Sequence, residues 1–258
     1  MSRNSSNRTS SGRPARVFSE RLADFDLRRP ASKRDYNRRL FRAVAPRYGA
    51  VTWLLSFGMD GLWKRALVRR LPRRAVRALD LACGTGDIAL LLARRYPGGR
   101  IEGLDLSPAM LARARRRLRG QANLSFRVGD LDRLPYPAGS FDLVTGGYAL
   151  RNAPDLRLSL GEVFRVLKPG GTAAFLDFNR SPRPWLGRLQ LRLLALWGGL
   201  WGRLLHGNPE VYAYIAQTLA LFPDRVSFEA LLSELGFRRV RSRLPPGGFV
   251  SLTFAAKA

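Results

Sequence analysis

The chain has 258 residues and a mass of 28.9 kDa, 46% apolar and 25% charged, which suits one α/β domain with decorating helices and excludes wholesale disorder. Its single cysteine, Cys83, excludes an internal disulfide and a cysteine-based metal cluster. Lys and Arg number 45 against 19 Asp and Glu; this charge of +26, nearly all arginine, draws nucleic acid or an anionic membrane surface, unless it only records an arginine-favouring base composition.

Residues 1–34 are rich in Ser, Arg and Asn and are expected to form a mostly disordered basic tail. No apolar core of a secretory signal follows the N-terminus. The arginines and serines, with no acid before Glu20, also fit an organelle transit peptide. Residues 35–258 are read as one domain. It opens with a helical cap over 36–71, where Leu40, Val44 and Tyr48 recur four apart and Pro46, Gly58 and Gly61 break the run into short helices. Its aromatic residues serve either as core or as a cap over a site.

From Arg77 the rhythm changes. Short apolar runs predict strands at 78–82, 100–104, 124–128, 141–145, 172–178, 238–243 and 249–255. Helical patterns fall between them at 87–96, 108–118, 156–167 and 227–235. The expected fold is α/β and Rossmann-like: seven mostly parallel strands with helices on both faces. The last two strands are so close in sequence that they form a hairpin, which sets one strand antiparallel.

Residues 179–222 form an insertion of helices. No acid occurs over 179–209. At ~100° per residue, Arg188, Arg192 and Arg203 cluster within about 60°, and five leucines with Trp197 and Trp201 cover about 80° to 220°. A basic face beside a broad apolar one is the pattern of a helix lying in a membrane interface, or of a lid with its arginines in water. Gly198-Gly199 is expected to break it in two. A second basic run, Arg113, Arg115, Arg116, Arg117 and Arg119, reads as a solvated helix face that anionic lipid would attract.

The strongest local signal is DLACGTGD, residues 80–87, where a buried strand runs through a glycine turn into a helix. Ligands of open α/β sheets bind at such carboxyl ends. Gly84 and Gly86 let a ligand lie against the backbone. Asp105, ending the second strand 21 residues after Gly84, suits two ribose hydroxyls; Asp130, ending the third, stands within reach of a base edge. Gly84-x-Gly86-x-x-Ala89 also satisfies the weak dinucleotide fingerprint of NAD enzymes. Asp80 and Asp87 bracket the loop, however, and two carboxylates repel a pyrophosphate and favour a cation. That points to S-adenosylmethionine, which carries a sulfonium and an ammonium. The loop lacks the Gly-Lys-Ser/Thr of a P-loop.

DLACGTGD, GLDLSPAML, LPYPAGSFD, GYALRNAPD, VFRVLKPGG and VYAYIAQTLALFP together resemble the ubiquinone/menaquinone C-methyltransferase family over residues 36–255. The first of these motifs are common to class I methyltransferases, whereas ALRN, YAYIAQTLALFP and FRAVAPRYGAVTWLLSFGMDGLWKR are particular to this family. The resemblance implies S-adenosylmethionine as cofactor and a prenylated hydroquinone as substrate. By position it assigns Thr85 to the cofactor loop, Asp105 and the following Leu106 to the ribose side, and Asp130 and Leu131 to the adenine. Gly147 stands where several relatives carry a serine. LDFNRSPRP followed by YAYI resembles the naphthoquinone branch, so the implied products are menaquinone or phylloquinone, with the ubiquinone-precursor benzoquinol as the alternative.

For the chemistry, Tyr148, Arg151 and Asn152 follow the fourth strand and should face the site. Arg151 or Asn152 would orient the quinol oxygen and Tyr148 would line the ring pocket, unless Arg151 is spent on Asp155 or Asp142. His206 is the only side chain that titrates near neutrality unperturbed, a candidate base or a mere helix-end residue. One histidine argues against a histidine-ligated zinc, and no metal is expected. The charge also raises an RNA methyltransferase as a rival. GGYALRN in place of an Asn-Pro-Pro-aromatic motif, and a lone cysteine within the glycine loop, argue against it and against nucleic acid as partner. A methyltransferase of secondary metabolism is a further rival. No uncharged apolar run reaches the ~20 residues of a spanning helix. The expected location is cytoplasmic, peripheral at the inner membrane face, with an organelle as the alternative.

Overall fold

The computed structural model describes Phe18, residues 20–118 and residues 120–258. Expectations for 1–17, Ser19 and Arg119 fall outside the described residues.

Seven strands form one sheet: β1 (Arg77–Leu81), β2 (Arg100–Asp105), β3 (Leu124–Val128), β4 (Phe141–Gly147), β5 (Leu167–Phe178), β6 (Phe237–Arg243) and β7 (Val250–Lys257). Their spatial order is β3-β2-β1-β4-β5-β7-β6. β1 is buried from Ala78 to Leu81, as a central strand covered on both faces must be. β1 through β5 pair in parallel, and β7 runs antiparallel between β5 and β6, as the short 6–7 connection requires. The order reverses at β1, whose neighbours are β2 and β4. The crevice at their carboxyl ends is where such sheets hold ligands.

Helices α3 (Asp60–Arg69), α4 (Asp87–Arg95) and α5 (Pro108–Arg116) belong to one part of the surround, α6 (Leu156–Val166) and α9 (Arg225–Glu234) to another. Trp63, Leu67 and Leu92 share one buried cluster with strand residues; Val163, Leu232 and Phe237 share a second. Asp155 caps α6 by accepting from Leu158 N at 2.9 Å, and Ser107 caps α5 through Met110 N.

A third core joins the N-terminal helices to the inserted helices that follow β5. α1 (Pro30–Val44) and α2 (Tyr48–Leu55) pack with α7 (Pro184–His206) and α8 (Glu210–Leu221). Phe18, Leu22 and Leu27 are buried within it, and α1 starts at Pro30. The expected boundary of the tail at residue 34 therefore does not hold for the described part. Asn208 Nδ2 reaches the carbonyls of Phe18 and Glu20 at 3.0 and 3.1 Å, and Glu210 accepts from Leu22 N. Partners 190 residues away fix a segment whose local composition carries no periodicity.

The expected break at Gly198-Gly199 is also overturned: α7 is one helix of 23 residues. Its small residues make a seam. A Cβ on Gly198 would stand 2.8 Å from Tyr212 O, and one on Gly202 2.6 Å from Asn208 O. The glycines let the α8 backbone approach, and that packing outweighs their weak helix propensity. Gly207, at φ +68°, ends the helix.

Candidate active site

The turn after β1 holds three left-handed residues within five: Ala82 at φ +44°, Gly84 at +55° and Gly86 at +83°. It turns the chain tightly enough to aim the start of α4 at the end of β1. Two buried acids fasten it. Asp80 accepts from Ala89 N at 3.0 Å and from Thr145 Oγ1 at 2.8 Å. Asp105 accepts from Gly84 N and from Ser107 N, both at 2.8 Å. Burial pushes the Asp80 carboxyl up to about 7 and the Asp105 carboxyl up to about 6, against the pull of these hydrogen bonds.

A cleft opens at this point, lined by Gly84, Asp105, Leu106, Asp130, Leu131 and Gly147 among others. Six of the nine cofactor-contact residues expected from the sequence therefore meet in one place. Asp80, Thr85 and Gly86 do not line it. Asp80 lies behind the loop. Thr85 turns toward a separate, cationic cavity and its carbonyl accepts from Arg117 Nη1 at 2.8 Å. Gly86 caps α4, with Phe126 where a Cβ would sit, 2.9 Å away.

The charges that bracket the loop also differ from the expectation. Asp87 pairs with Lys64 at 2.8 Å and with Arg117 at 2.5 Å, which hold its carboxyl below the ordinary range despite its burial. Asp80 and Asp87 thus do not present a joint negative field to the cleft. The acids that line it are Asp105 and Asp130. The Asp130 carboxylate meets Arg34 Nε at 2.5 Å, and the same guanidinium reaches Asp132 at 2.9 Å.

A nucleoside fits these walls. Each Asp105 oxygen receives one backbone hydrogen bond and keeps a lone pair for a hydroxyl donor. Leu106, Met110 and Leu131 supply apolar surface for a base. The backbone is bare at Gly84 and Gly147, and a Cβ at Gly147 would fall 2.5 Å from Ile88 Cδ1, so Ile88 occupies the space that a serine would need.

Beside the cleft lies a second cavity, between α1, α2 and α8. The two share Phe41, Tyr48, Tyr148 and Asn152. Leucine, valine and aromatic side chains line most of it, and one buried cation, Arg151, faces it. Arg151 Nε lies 3.1 Å from Asp177 Oδ1, and Nη1 lies 3.2 Å from Thr218 Oγ1. Its partner is thus neither Asp155, which caps α6, nor Asp142, which binds Lys168 at 2.8 Å. Asn152 is already engaged, donating to Tyr148 O at 2.8 Å. Tyr148 stands at φ +56° with its hydroxyl unpartnered and its ring 5.2 Å from that of Phe178. Of the four expected catalytic residues, these three meet at the cavity.

His206 does not line it. Its Nε2 lies 2.7 Å from the hydroxyl of Tyr212, which does line it, and burial beside Arg47 lowers the imidazole pKa. Sequence reasoning missed Arg34 on Asp130, and Asn37, whose amide donates to Asn152 O at 2.7 Å and whose oxygen accepts from the Tyr214 hydroxyl. These are polar residues of the N-terminal cap. Their only signal was the cap's position ahead of the first strand.

Comparison with known proteins agrees with this geometry. The sequence model of the ubiE/COQ5 methyltransferase family matches residues 30–257. A Thermus thermophilus protein named demethylmenaquinone methyltransferase is 39% identical over 204 residues, covering 77% of this chain and 91% of its own. A Thermosynechococcus vestitus protein named 2-phytyl-1,4-naphtoquinone methyltransferase is 38% identical over 221 residues, covering 84% and 97%. Among solved structures, a Thermotoga maritima S-adenosylmethionine-dependent methyltransferase superposes with a TM-score of 0.63 at 19% identity, covering 86% of this chain and 99% of that one.

Proposed function

We propose, on the premise that this chain belongs to the ubiE/COQ5 methyltransferase family, that it methylates a ring carbon of a prenylated naphthoquinol, demethylmenaquinol or its phytyl counterpart. It is an S-adenosylmethionine-dependent methyltransferase. One observation carries the finer reading: the nucleoside cleft opens, across Phe41, Tyr48, Tyr148 and Asn152, into a mostly apolar cavity whose one charged side chain among the described residues is the buried Arg151. A fused hydroquinone ring with one of its two oxygens beside the arginine suits that cavity.

Asp105 would hold the ribose hydroxyls, Leu106, Met110 and Leu131 the adenine, and the Gly84 and Gly147 backbones the rest of the donor. When bound, S-adenosylmethionine supplies an electrophilic methyl. That methyl would pass to the quinol ring carbon with S-adenosylhomocysteine as the leaving group, and the displaced ring proton would return to the phenolate oxygen as aromaticity is restored. Loss of the phenolic proton makes the ortho carbon nucleophilic. Arg151 favours that loss by placing a cation beside the oxygen in an apolar cavity, where charge is weakly screened. Asp177 and Thr218 fix the guanidinium. Tyr148 and Tyr48 line the boundary of cleft and cavity and exclude water there, so alignment of carbon and methyl supplies most of the rate.

The enzyme works against an anionic membrane. Leu189, Leu193, Leu196, Leu200 and Leu204 make an exposed stripe on α7, flanked by exposed Arg188, Arg192 and Arg203. Trp53 on α2 and Phe57 in the α2–α3 turn, 62% and 71% exposed, add to this apolar surface. Arg65, Arg94, Arg113 and Arg116 line the adjacent cavity, and none has an ion-pair partner among the described residues. Apolar side chains ringed by arginine are the chemistry of an interfacial surface. Among the described residues, no helix is long and apolar enough to cross a membrane.

The test is a methyl-transfer assay with reduced demethylmenaquinone, demethylphylloquinone and the ubiquinone precursor side by side. A naphthoquinol turned over at least tenfold faster than the benzoquinol supports the reading, and the reverse order assigns the ubiquinone branch. Methylation of none of the three overturns it.

A further inference from the structure

We propose that the groove between the α2–α3 turn and α7 is the binding site for the isoprenoid tail of the substrate, an inference that rests on the quinol reading above. The groove measures about 710 Å³, within the range of small-molecule sites. Leu55, Met59, Trp63, Leu194, Trp197 and Leu219 are among its walls. Three residues, Leu55, Ser56 and Phe178, also line the ring cavity, so the groove continues from the place where the ring would sit. At its other side stand Leu193, Leu196 and Leu200, members of the exposed leucine stripe.

The chemistry of the walls selects the occupant. Only two lining residues carry a hydrogen-bonding polar side chain besides the tryptophans, and both are satisfied within the protein. Ser56 Oγ donates to Trp53 O at 3.2 Å and accepts from Asp60 N at 3.1 Å. Gln190 accepts from Ser181 N at 3.1 Å and donates to Asn179 O at 2.6 Å. The indole N–H groups of Trp63 and Trp197 are buried and present nothing to a ligand. No charged side chain among the described residues lines the groove. A polar ligand would lose its hydration and find no partner, whereas a hydrocarbon chain loses nothing. Phe57, held at φ +50°, stacks on Trp197 with ring centroids 5.2 Å apart and bridges the two walls. An extended, branched hydrocarbon joined at one end to an aromatic ring meets all these conditions. It would pass from the lipid-facing leucines, along the groove and into the ring cavity without crossing water.

The experiment compares wild type with Leu193→Asp and Leu200→Asp, both at exposed positions. Each is assayed without lipid on two reduced demethylated naphthoquinones, one with a two-isoprene tail and one tailless. The expected result is a KM at least tenfold higher for the tailed substrate, with both kinetic constants for the tailless one within twofold of wild type. Equal changes for both substrates, or no change for either, overturn the tail site. Tritiated geranylgeraniol, a tail without a ring, is bound in parallel. Should wild type methylate neither quinol, the quinol reading fails, and the groove is then judged alone. Binding to wild type that drops at least tenfold in Leu193→Asp keeps it, and equal binding or none rejects it.

Discussion

Replacing Asp105 by Asn separates the two duties of this residue. Its carboxylate accepts from Gly84 N and Ser107 N inside the glycine turn, and it is the candidate anchor for the ribose. Asp105→Ala would leave two buried N–H groups unpartnered, at about 1–3 kcal/mol each, and so confuses loss of binding with loss of the loop. Asn keeps one acceptor, at about half that cost. It also removes a buried charge. The rise of the carboxyl from 3.8 to about 6 means that the ionised form costs the fold about 3 kcal/mol at pH 8. An acid whose pKa is raised by folding contributes stability below 3.8 and loses it as pH climbs through 6. At pH 5 the cost has fallen to about 1.6 kcal/mol. Asp105→Asn is therefore expected to lose about 1.4 kcal/mol relative to wild type between pH 8 and pH 5, measured by urea unfolding. Two charge-assisted hydrogen bonds to ribose are worth about 3–6 kcal/mol together, so calorimetry with S-adenosylhomocysteine should show affinity weakened at least a hundredfold. For wild type, protonation of Asp105 should weaken that affinity about fivefold from pH 6 to pH 5. Wild-type affinity in the variant, or a stability difference that does not move with pH, would refute the reasoning.

On the α7 seam, Gly202→Ala places a Cβ 2.6 Å from Asn208 O and should destabilise by about 1–3 kcal/mol, while Gly199→Ala, whose nearest neighbour is 3.7 Å away, should stabilise by about 0.5–1 kcal/mol; opposite shifts in urea midpoint check the pair. Arg151→Ala leaves Asp177 buried without its cation and should cost about 3–5 kcal/mol by the same measurement, so Arg151→Lys is the variant for kinetics, with kcat expected to fall at least tenfold. His206→Ala should retain kcat within about fivefold, because the imidazole lies outside the ring cavity; a hundredfold loss with an altered pH profile would instead place the proton acceptor there, working through Tyr212.

Strand positions, the antiparallel pairing near the C-terminus and the glycine turn were legible in the sequence because their causes are local. A run such as Ala78–Leu81 has no way to be stable except covered on both faces, and a six-residue connection leaves β6 and β7 only a hairpin. The identity of Asp105 and Asp130 followed from their place at strand ends, which parallel topology brings to one edge. Function was legible mainly through family-specific motifs, not through charge, whose apparent argument from Asp80 and Asp87 failed. Whether an acid faces a ligand depends on neighbours far away in the chain: Asp87 is claimed by Lys64 and Arg117, and Asp80 by Ala89 and Thr145. The same holds for Gly198 and Gly202. Alone they read as helix breakers, and only the backbone of α8 lying against them makes them a seam. Residues 20–34 gained order the same way, from Asn208 and Glu210. Sequence determines what a segment can do by itself, through period, turn chemistry and propensity. Tertiary structure alone decides which polar groups are already satisfied, and therefore which remain free to meet a ligand.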